Sequence, residues 1–329
     1  GWPMAYALSW ISVAGGDSVM PPWVRLQFPQ AGLIVRHLRD TNCGDPACGW
    51  CAEKNNPNAA LERWFGFPSF RPQPVDDMGR PLQERIVAEA MAGKSVLGIL
   101  PTGTGKSVCY QIPALSRFDK TGALTVVISP LVALMADQVQ GLARAGISAA
   151  VTVNGMLSLP ERHDALEKVR MGDAAMLLIS PEQLRSPSIR TVLQQREVGL
   201  WVLDEAHCIS QWGHDFRPDY LRVGELRRAL DVPLAAFTAT ADAETREEIV
   251  ARLFAGAQPQ SFLRGFDRPN IHLAFQAKDG PRRQILDFAA ARRGQSGIVY
   301  CGTRAKTEAL AKALNEAGLA AVAYHGGME

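Results

Sequence analysis

The sequence predicts an α/β fold built on a parallel β-sheet whose two faces are both covered by helices. From about residue 95 onward, short apolar runs without in-and-out alternation are separated by longer stretches of helical periodicity, the pattern of strands that are buried on both faces. A glycine-rich turn follows the first run, and two adjacent carboxylates follow another. Functional groups at strand ends are typical of doubly wound sheets.

Seven apolar runs are predicted to form strands. They are residues 95–100, 125–129, 175–180, 200–203, 234–238, 297–301 and 320–324. Helical patterns follow the second and fifth runs, at residues 131–145 and 243–253. Strands that alternate with helices along the chain predict parallel pairing, because each crossover helix returns the chain to the same edge of the sheet.

Changes in composition predict three regions. Residues 1–60 carry a cysteine cluster and a polar stretch, and residues 61–263 carry the main α/β pattern. Residues 264–329 begin a new strand–helix pattern, which stops at about half the length that a complete doubly wound domain needs. Because the chain also begins with Gly1 rather than Met, we expect it to be a fragment of a longer protein.

Composition and charge restrict the function classes. The hydrophobic content of 47% predicts a sizeable core and excludes global disorder. A formal net charge of +2 means that any surface that binds nucleic acid must be local. Neither a membrane-spanning run nor a secretory signal is present in the sequence, and the scattered cysteines suit a reducing compartment. We therefore expect a cytoplasmic protein, associated with the nucleoid if the source is bacterial.

The glycine-rich turn predicts a phosphate-binding loop. It follows an apolar strand and opens a helix, so backbone N–H groups and the positive helix end face the same anion. Lys106 is predicted to neutralise the β- and γ-phosphates of ATP, and Ser107 to ligate Mg²⁺. The strict pattern asks for glycine where Leu100 stands. The predicted ATP-binding residues of the loop are Thr102, Gly103, Thr104, Gly105, Lys106 and Ser107.

The carboxylate pair predicts the metal and the general base of the same site. Asp204 and Glu205 follow the apolar run 200–203, so we expect Asp204 to hold Mg²⁺ and Glu205 to polarise the attacking water. His207 is expected to link the site to neighbouring elements. The hydroxyls of Thr238 and Thr240 either relay between the carboxylate and DNA or cap the next helix, and the sequence leaves both interpretations open.

The residues from Asp204 to Tyr220 read DEAHCISQWGHDFRPDY and resemble the joined DEAH box and aromatic-rich loop of RecQ helicases, which belong to superfamily 2. The resemblance implies a RecA-like P-loop NTPase domain followed by the start of a second RecA-like domain. It also implies that the loop contacts single-stranded DNA, since aromatic faces stack on bases and Arg and His meet phosphates. The DNA-binding residues implied are Gln211, Trp212, His214, Phe216 and Arg217.

Other segments resemble the same family in the same order. Residues 127–138 are similar to its first DNA-contact motif, and residues 178–184 to the next one, with Gln183 where the family usually has Arg. Residues 266–271 resemble the join to the second RecA-like domain, and residues 297–304 and 324–328 resemble that domain's beginning.

Residues 65–67 and 70–72 also resemble the family's adenine-recognition motif. By that resemblance Phe67 stacks on adenine, while Arg71 and Gln83 hydrogen-bond it. Gln83 stands later than the family pattern expects, so we interpret residues 73–82 as a small insertion.

The resemblance implies a DNA-stimulated, Mg²⁺-dependent ATPase that unwinds DNA in the 3′-to-5′ direction, with single strands and duplex junctions as partners. The family's arginine fingers belong to later parts of the second domain, so we expect this chain alone to hydrolyse ATP weakly. A duplex translocase, an RNA helicase and a non-catalytic binding module are the alternatives. The aromatic-rich loop disfavours the first two, and intact Lys106, Ser107, Asp204 and Glu205 disfavour the third. The oligomeric state stays undetermined.

The N-terminal cysteines form a candidate metal site. Cys43, Cys48 and Cys51 have C-x₄-C-x₂-C spacing, and His37 precedes them by six residues. Zn²⁺ bound with His37 is one interpretation, and unligated thiols are the other. The same spacing occurs in one class of iron–sulfur protein, which needs a fourth cysteine.

Overall fold

Two compact units divide the chain, Gly1–Asp267 and Arg268–Glu329. The computed structural model describes Met4 and residues 28–210, 218–220, 232–264 and 271–328. The assignment of the second unit to a second RecA-like domain stays a prediction.

The first unit is built on a seven-stranded sheet in which all neighbouring strands run parallel. The strands are β1 (Val96–Ile99), β2 (Leu124–Ile128), β3 (Ala150–Val153), β4 (Met176–Ile179), β5 (Val198–Leu203), β6 (Leu234–Thr238) and β7 (Gln260–Leu263). Their order across the sheet is β3-β4-β2-β5-β6-β1-β7. The predicted α/β class with a parallel sheet is confirmed.

Helices connect and cover the strands. In the first unit they are α1 (Pro29–Asp40), α2 (Gly49–Lys54), α3 (Pro57–Phe65), α4 (Leu82–Met91), α5 (Val108–Thr121), α6 (Val132–Arg144), α7 (Leu159–Met171), α8 (Pro187–Gln195) and α9 (Ala243–Leu253). Short 3₁₀ turns span Pro181–Arg185, Ala206–Ile209 and Pro218–Tyr220. Helix starts follow local chemistry: Ser158 and Glu161 form a capping box on α7, which satisfies N–H groups that the helix leaves unpaired.

Both faces of the sheet are buried. Along β5, Trp201 and Leu203 pack into the core on one face, whereas Leu200 and Val202 pack into the core on the other. All four side chains are fully buried. This double burial explains why the strand sequences lack in-and-out alternation.

Two strands of the sheet were not predicted, and both lie at its edges. β3 carries the polar Thr152 among its four residues, and β7 buries only Phe262 among its four. Neither therefore produces an apolar run as long as those of the central strands. The central strands β1, β2, β4, β5 and β6 match predicted runs to within two residues.

The second unit contains α10 (Pro281–Ala290) and α11 (Arg304–Glu316). The strands predicted at 297–301 and 320–324 are wrong: the structure forms no strand at either segment. Their apolar side chains are largely exposed, with Tyr300 92% and Val322 90% accessible. Apolar composition alone does not make a strand, which needs a paired neighbour and a face to bury.

The described residues include no helix that is both long and apolar enough to cross a lipid bilayer.

Candidate active site

The candidate site lies at the carboxyl ends of β1, β6 and β5, which are consecutive neighbours in the sheet. The phosphate loop follows β1, Thr238 ends β6, and Asp204 with Glu205 follows β5. Because parallel strands end at the same edge, the predicted phosphate loop and the predicted acids lie along one crevice.

The phosphate loop has the conformation that an anion cradle needs. Gly103 and Gly105 adopt φ values of +84° and +78°, a region that L-residues rarely enter. Within the described residues, the N–H groups of Gly103, Gly105 and Lys106 donate to no protein acceptor. The Lys106 ammonium lies 3.5 Å from the carbonyl oxygen of Leu100, at the long limit of a hydrogen bond. These donors and the start of α5 are therefore available to an anion.

Gln83 and Arg71 meet the phosphate loop despite the intervening insertion. The Gln83 side chain is 3% exposed and donates to the carbonyl oxygens of Thr104 at 2.8 Å and Gly105 at 3.1 Å. Its carbonyl accepts from the Arg71 backbone N–H at 3.1 Å, and the Arg71 guanidinium donates to Gly103 O. A Cβ on Gly105 would stand 2.5 Å from the Gln83 amide nitrogen, so a side chain there would displace this amide from its hydrogen bonds.

The segment interpreted as an insertion forms a loop that leads into α4. Val75 and Pro81 form an antiparallel bridge across its base. Asp76 holds the loop by ion pairs to Arg80 at 3.0 Å and Arg85 at 2.8 Å. Phe67, the predicted adenine-stacking residue, is 56% exposed.

Asp204 is a buried carboxylate whose negative charge is stabilised by few neighbouring groups. Burial and the neighbouring Glu205 charge raise the pKa of Asp204 to about 6, while the Lys106 ammonium and the Glu205 backbone N–H act in the opposite direction. That N–H donates to Asp204 Oδ1 at 3.1 Å. The effect of Lys106 on the pKa of Asp204 means that the phosphate loop and the acidic strand end are electrostatically coupled.

Glu205 has a strained backbone, with φ of +52°, which is uncommon for a residue other than glycine and recurs at functional sites. Its carboxylate lies 3.4 Å from His207 Nδ1. The same ring nitrogen lies 2.8 Å from Thr238 Oγ1. His207 thus joins the acidic turn to the end of β6.

The structure distinguishes the relay and the helix-capping interpretations of Thr238 and Thr240. Thr238 Oγ1 donates to Thr240 O at 2.9 Å and also faces His207. Asp242, rather than either threonine, caps α9 by accepting from Thr245 N at 2.8 Å. Thr238 therefore belongs to the site, and the capping interpretation fails for it.

Tyr220 is a site residue that the sequence interpretation gave no role. Its side chain is fully buried, and its hydroxyl donates to the Asp204 carbonyl oxygen at 3.0 Å. Its neighbour Asp219 pairs with Arg185 at 2.6 Å. The only sequence signal was its position at the end of the DEAH-containing run.

The donor set fits a Mg²⁺·triphosphate. Hydroxyl and carboxylate oxygens, here those of Ser107 and Asp204, are ligands that Mg²⁺ accepts. A buried carboxylate whose ionised form is disfavoured is stabilised by a cation placed beside it. The unpaired N–H groups of the loop and Lys106 supply the opposite charge for phosphate oxygens.

The predicted DNA-contacting residues of the aromatic-rich loop lie outside the described residues. These are Gln211, Trp212, His214, Phe216 and Arg217, and residues 266–270 of the predicted domain join also lie outside them. Among the described parts of the other motifs, Gln138 accepts from the buried Tyr110 hydroxyl. Gln183 accepts from Arg162 at 2.9 Å.

The structure brings together three of the four predicted N-terminal ligands. The sulfurs of Cys43, Cys48 and Cys51 all lie within 4.8 Å of one another. His37 is not brought to them: it is exposed on α1, and its Nδ1 lies 3.2 Å from Thr41 Oγ1.

The family model for the DEAD/DEAH box helicase matches residues 80–249. The ATP-dependent DNA helicase RecQ of Haemophilus influenzae is 40% identical over 278 residues, which is 84% of this chain and 42% of the relative. RecQ of Synechocystis is 39% identical over 287 residues, 84% of this chain and 57% of the relative. The resemblance to RecQ helicases is confirmed, and the chain spans about half the length of these relatives.

Among solved structures, the DUF1998 helicase MrfA superposes with a TM-score of 0.59 at 20% identity, covering 79% of this chain and 40% of that structure. MrfA bound to DNA gives 0.60 at 18% identity, with 80% and 38% covered. At such identity the likeness concerns the fold alone.

Proposed function

Since the chain belongs to the DEAD/DEAH box helicases, we propose that it binds Mg²⁺·ATP in the crevice between the phosphate loop and the acidic end of β5. The protein then couples hydrolysis to 3′-to-5′ movement on single-stranded DNA and to duplex unwinding. The observation that carries this proposal is that the phosphate loop after β1 and the buried Asp204 after β5 lie at the same edge of the sheet, with only β6 between the two strands.

Lys106 and the loop N–H groups bind the triphosphate, and Ser107 and Asp204 hold the metal. Mg²⁺, when bound, neutralises charge on the phosphate oxygens. Asp204 is suited to this role because its burial leaves few competing partners for the carboxylate. Tyr220 fixes the Asp204 backbone from the far end of the DNA-contacting loop, so it positions the acid rather than touching the nucleotide.

Glu205 accepts a proton from the attacking water. Glu205 has a strained backbone directly after β5, and its carboxylate lies 3.4 Å from His207 Nδ1. Through their contact, His207 and Thr238 couple a change in the charge or position of the Glu205 carboxylate to the end of β6. Proton acceptance by a positioned carboxylate typically contributes a factor of about 10²–10⁴ to the rate.

Adenine recognition falls to Phe67, Arg71 and Gln83. In the structure Gln83 and Arg71 already contact the phosphate loop, so the base and the phosphates are read by connected groups. The identity of the bound base therefore influences the conformation of the phosphate loop.

Substitution of Gln83 by Ala is expected to weaken ATP binding by about tenfold, because one buried amide contributes about 1–1.5 kcal/mol through its hydrogen bonds. The preference for ATP over GTP is expected to fall as well. Titration with both nucleotides measures the effect, and Gln140→Ala on the exposed side of α6 is the matched control. Unchanged ATP affinity and selectivity would remove Gln83 from the adenine site.

DNA binding is assigned to the aromatic-rich loop of residues 211–217, with stacking by Trp212 and Phe216. The loop is bounded by the acidic turn on one side and by Tyr220 on the other, which supports coupling between DNA and the nucleotide site. Duplex junctions as substrates and a nucleoid location belong to the same proposal.

The function is tested by ATP hydrolysis in the presence and absence of a single-stranded oligonucleotide. We expect DNA to raise the rate, even though the basal rate is low. Glu205→Gln is expected to lower the DNA-stimulated rate by about 100-fold or more while leaving ATP binding intact. Glu244→Gln, on the exposed side of α9, is the control. Hydrolysis that neither responds to DNA nor depends on Glu205 would refute the helicase proposal.

A further inference from the structure

The N-terminal cysteine cluster shares no residue with the proposed ATP site and has no part in the proposed hydrolysis. We propose that Cys43, Cys48 and Cys51 bind one Zn²⁺ ion through three thiolates, with water as the fourth ligand, and that this ion fastens the N-terminal segment to the end of α5. His37 takes no part, and the site is not an iron–sulfur cluster.

The sulfur separations favour a single ion. Tetrahedral Zn²⁺ with Zn–S bonds of about 2.3 Å places its sulfurs about 3.8 Å apart. The Cys43 and Cys51 sulfurs are 3.5 Å apart, and all three lie within 4.8 Å of one another. In a [4Fe–4S] cluster each cysteine binds a different iron, and in a [2Fe–2S] cluster only two cysteines share one iron. Three cysteine sulfurs in either cluster therefore do not all surround one ion.

The local backbone is built to bring the thiols together. Gly44 adopts φ of +78°, which turns the chain directly after Cys43. Cys48 immediately precedes α2, and Cys51 lies within it. The spacing thus lets one short loop direct all three sulfurs toward a single metal position, as the ligand turns of zinc sites do.

Donors to sulfur surround Cys51. The backbone N–H of Cys43 donates to its Sγ at 3.4 Å, and the Asn55 side-chain amide donates to it at 3.7 Å. Such outer hydrogen bonds stabilise thiolates and orient metal ligands. Cys48 and Cys51 line a pocket of about 520 Å³ together with Asn42 and Asp45. Cys43 is exposed, and Cys48 is partly so. The pocket therefore leaves room for a water ligand.

The segment held by these cysteines is attached to α5, the helix that begins at the phosphate loop. Asn55 accepts from Lys120 Nζ at 2.8 Å, although Lys120 is only 2% exposed. Lys54 pairs with Asp119 at 3.2 Å. The Arg39 guanidinium donates to Lys120 O at 2.8 Å. A metal that rigidifies residues 43–51 therefore stabilises this attachment, because metal-binding free energy is folding free energy for the segment that supplies the ligands.

The test is elemental analysis of the whole chain purified under reducing conditions without added metal. We expect about one zinc per chain and no iron. The Cys48→Ser and Cys51→Ser variants are expected to lose most of the bound zinc, whereas the His37→Ala and Cys301→Ser variants are expected to keep it. Removal of zinc by a chelator is expected to lower the melting temperature by about 5 °C or more, and added Zn²⁺ restores it. Because Asp204 and Lys106 lie elsewhere, Mg²⁺·ATP affinity at a temperature where the chain stays folded is expected to change less than twofold.

The metal content and thiol accessibility of the unsubstituted chain decide the matter even if a cysteine variant does not fold. Absence of bound metal, with the three N-terminal thiols reacting freely with an alkylating reagent, would overturn the proposal. So would stoichiometric iron or copper, a Cys43–Cys51 disulfide, or zinc that is lost with His37→Ala.

Discussion

Lys106→Ala is expected to lower the affinity for Mg²⁺·ATP by about 100-fold or more. The ammonium is partly buried and has only the Leu100 carbonyl, at 3.5 Å, as its hydrogen-bond acceptor in the described structure. Nucleotide phosphates therefore become its principal partner. Removing one side of a charged contact of this kind costs about 2–5 kcal/mol, and 2.7 kcal/mol corresponds to about 100-fold.

Equilibrium titration with a fluorescent ATP analogue measures this loss. Lys94→Ala is the matched control, because Lys94 is an exposed lysine paired with Glu89 at 2.7 Å beyond the end of α4. The Lys94→Ala substitution also removes one positive charge from the first unit, but it leaves the phosphate loop unchanged. Equal affinities for the two variants would mean that Lys106 does not bind phosphate.

Asp204→Asn is expected to have two opposite effects. Without metal and nucleotide, the variant is expected to be more stable than the original chain at pH 8 by about 3 kcal/mol, from about 1.4 kcal/mol per pKa unit. The reason is that burial and Glu205 raise the pKa of Asp204 from 3.8 to about 6. In the presence of Mg²⁺, ATP hydrolysis is expected to fall by about 100-fold or more, since the metal loses an anionic ligand.

The sign of the pH dependence follows from proton binding. Between pH 3.8 and about 6 the folded chain holds a proton on Asp204 that the unfolded chain has lost. Folding stability therefore falls as the pH rises through this window, and the loss is complete above it. The stability advantage of Asp204→Asn should shrink as the pH falls toward 4.

Urea denaturation followed by tryptophan fluorescence, with a chelator present, measures the stability difference. Asp164→Asn, at an exposed position of α7, controls for the general effect of removing a carboxylate. If Asp204→Asn were no more stable than the original chain at pH 8, the buried carboxylate would already be compensated within the protein. Its proposed role as a metal ligand would then lose its physical basis.

The central sheet and the two halves of the site were predictable because their signals are local. Strands buried on both faces leave continuous apolar runs, and the phosphate loop and the carboxylate pair directly follow two of them. The edge strands β3 and β7 were missed because polar residues interrupt their apolar runs, and because strand formation there depends on neighbours that the local sequence does not reveal. Residues 297–301 and 320–324 show the converse, since apolar runs form no strand when they find no partner in the described structure.

Contacts between residues distant in sequence could not be derived in the same way. The position of Gln83 against Gly105 depends on how the insertion folds back between Val75 and Pro81. The contact of Tyr220 with Asp204 closes a loop whose course the sequence does not reveal. His37 was chosen as a ligand by proximity in sequence, yet its helix places it away from the three sulfurs.

The central claim is that Lys106 and Asp204 act on one shared metal–triphosphate. A double-mutant cycle of Lys106→Ala and Asp204→Asn, read as Mg²⁺·ATP dissociation constants, tests it most directly. If both side chains act on one metal–triphosphate, we expect strong non-additivity, with a coupling free energy of about 1 kcal/mol or more, because the second substitution acts on a complex already disrupted by the first. Additive losses, within about 0.3–0.5 kcal/mol, would mean that the two side chains serve independent sites and would contradict the account.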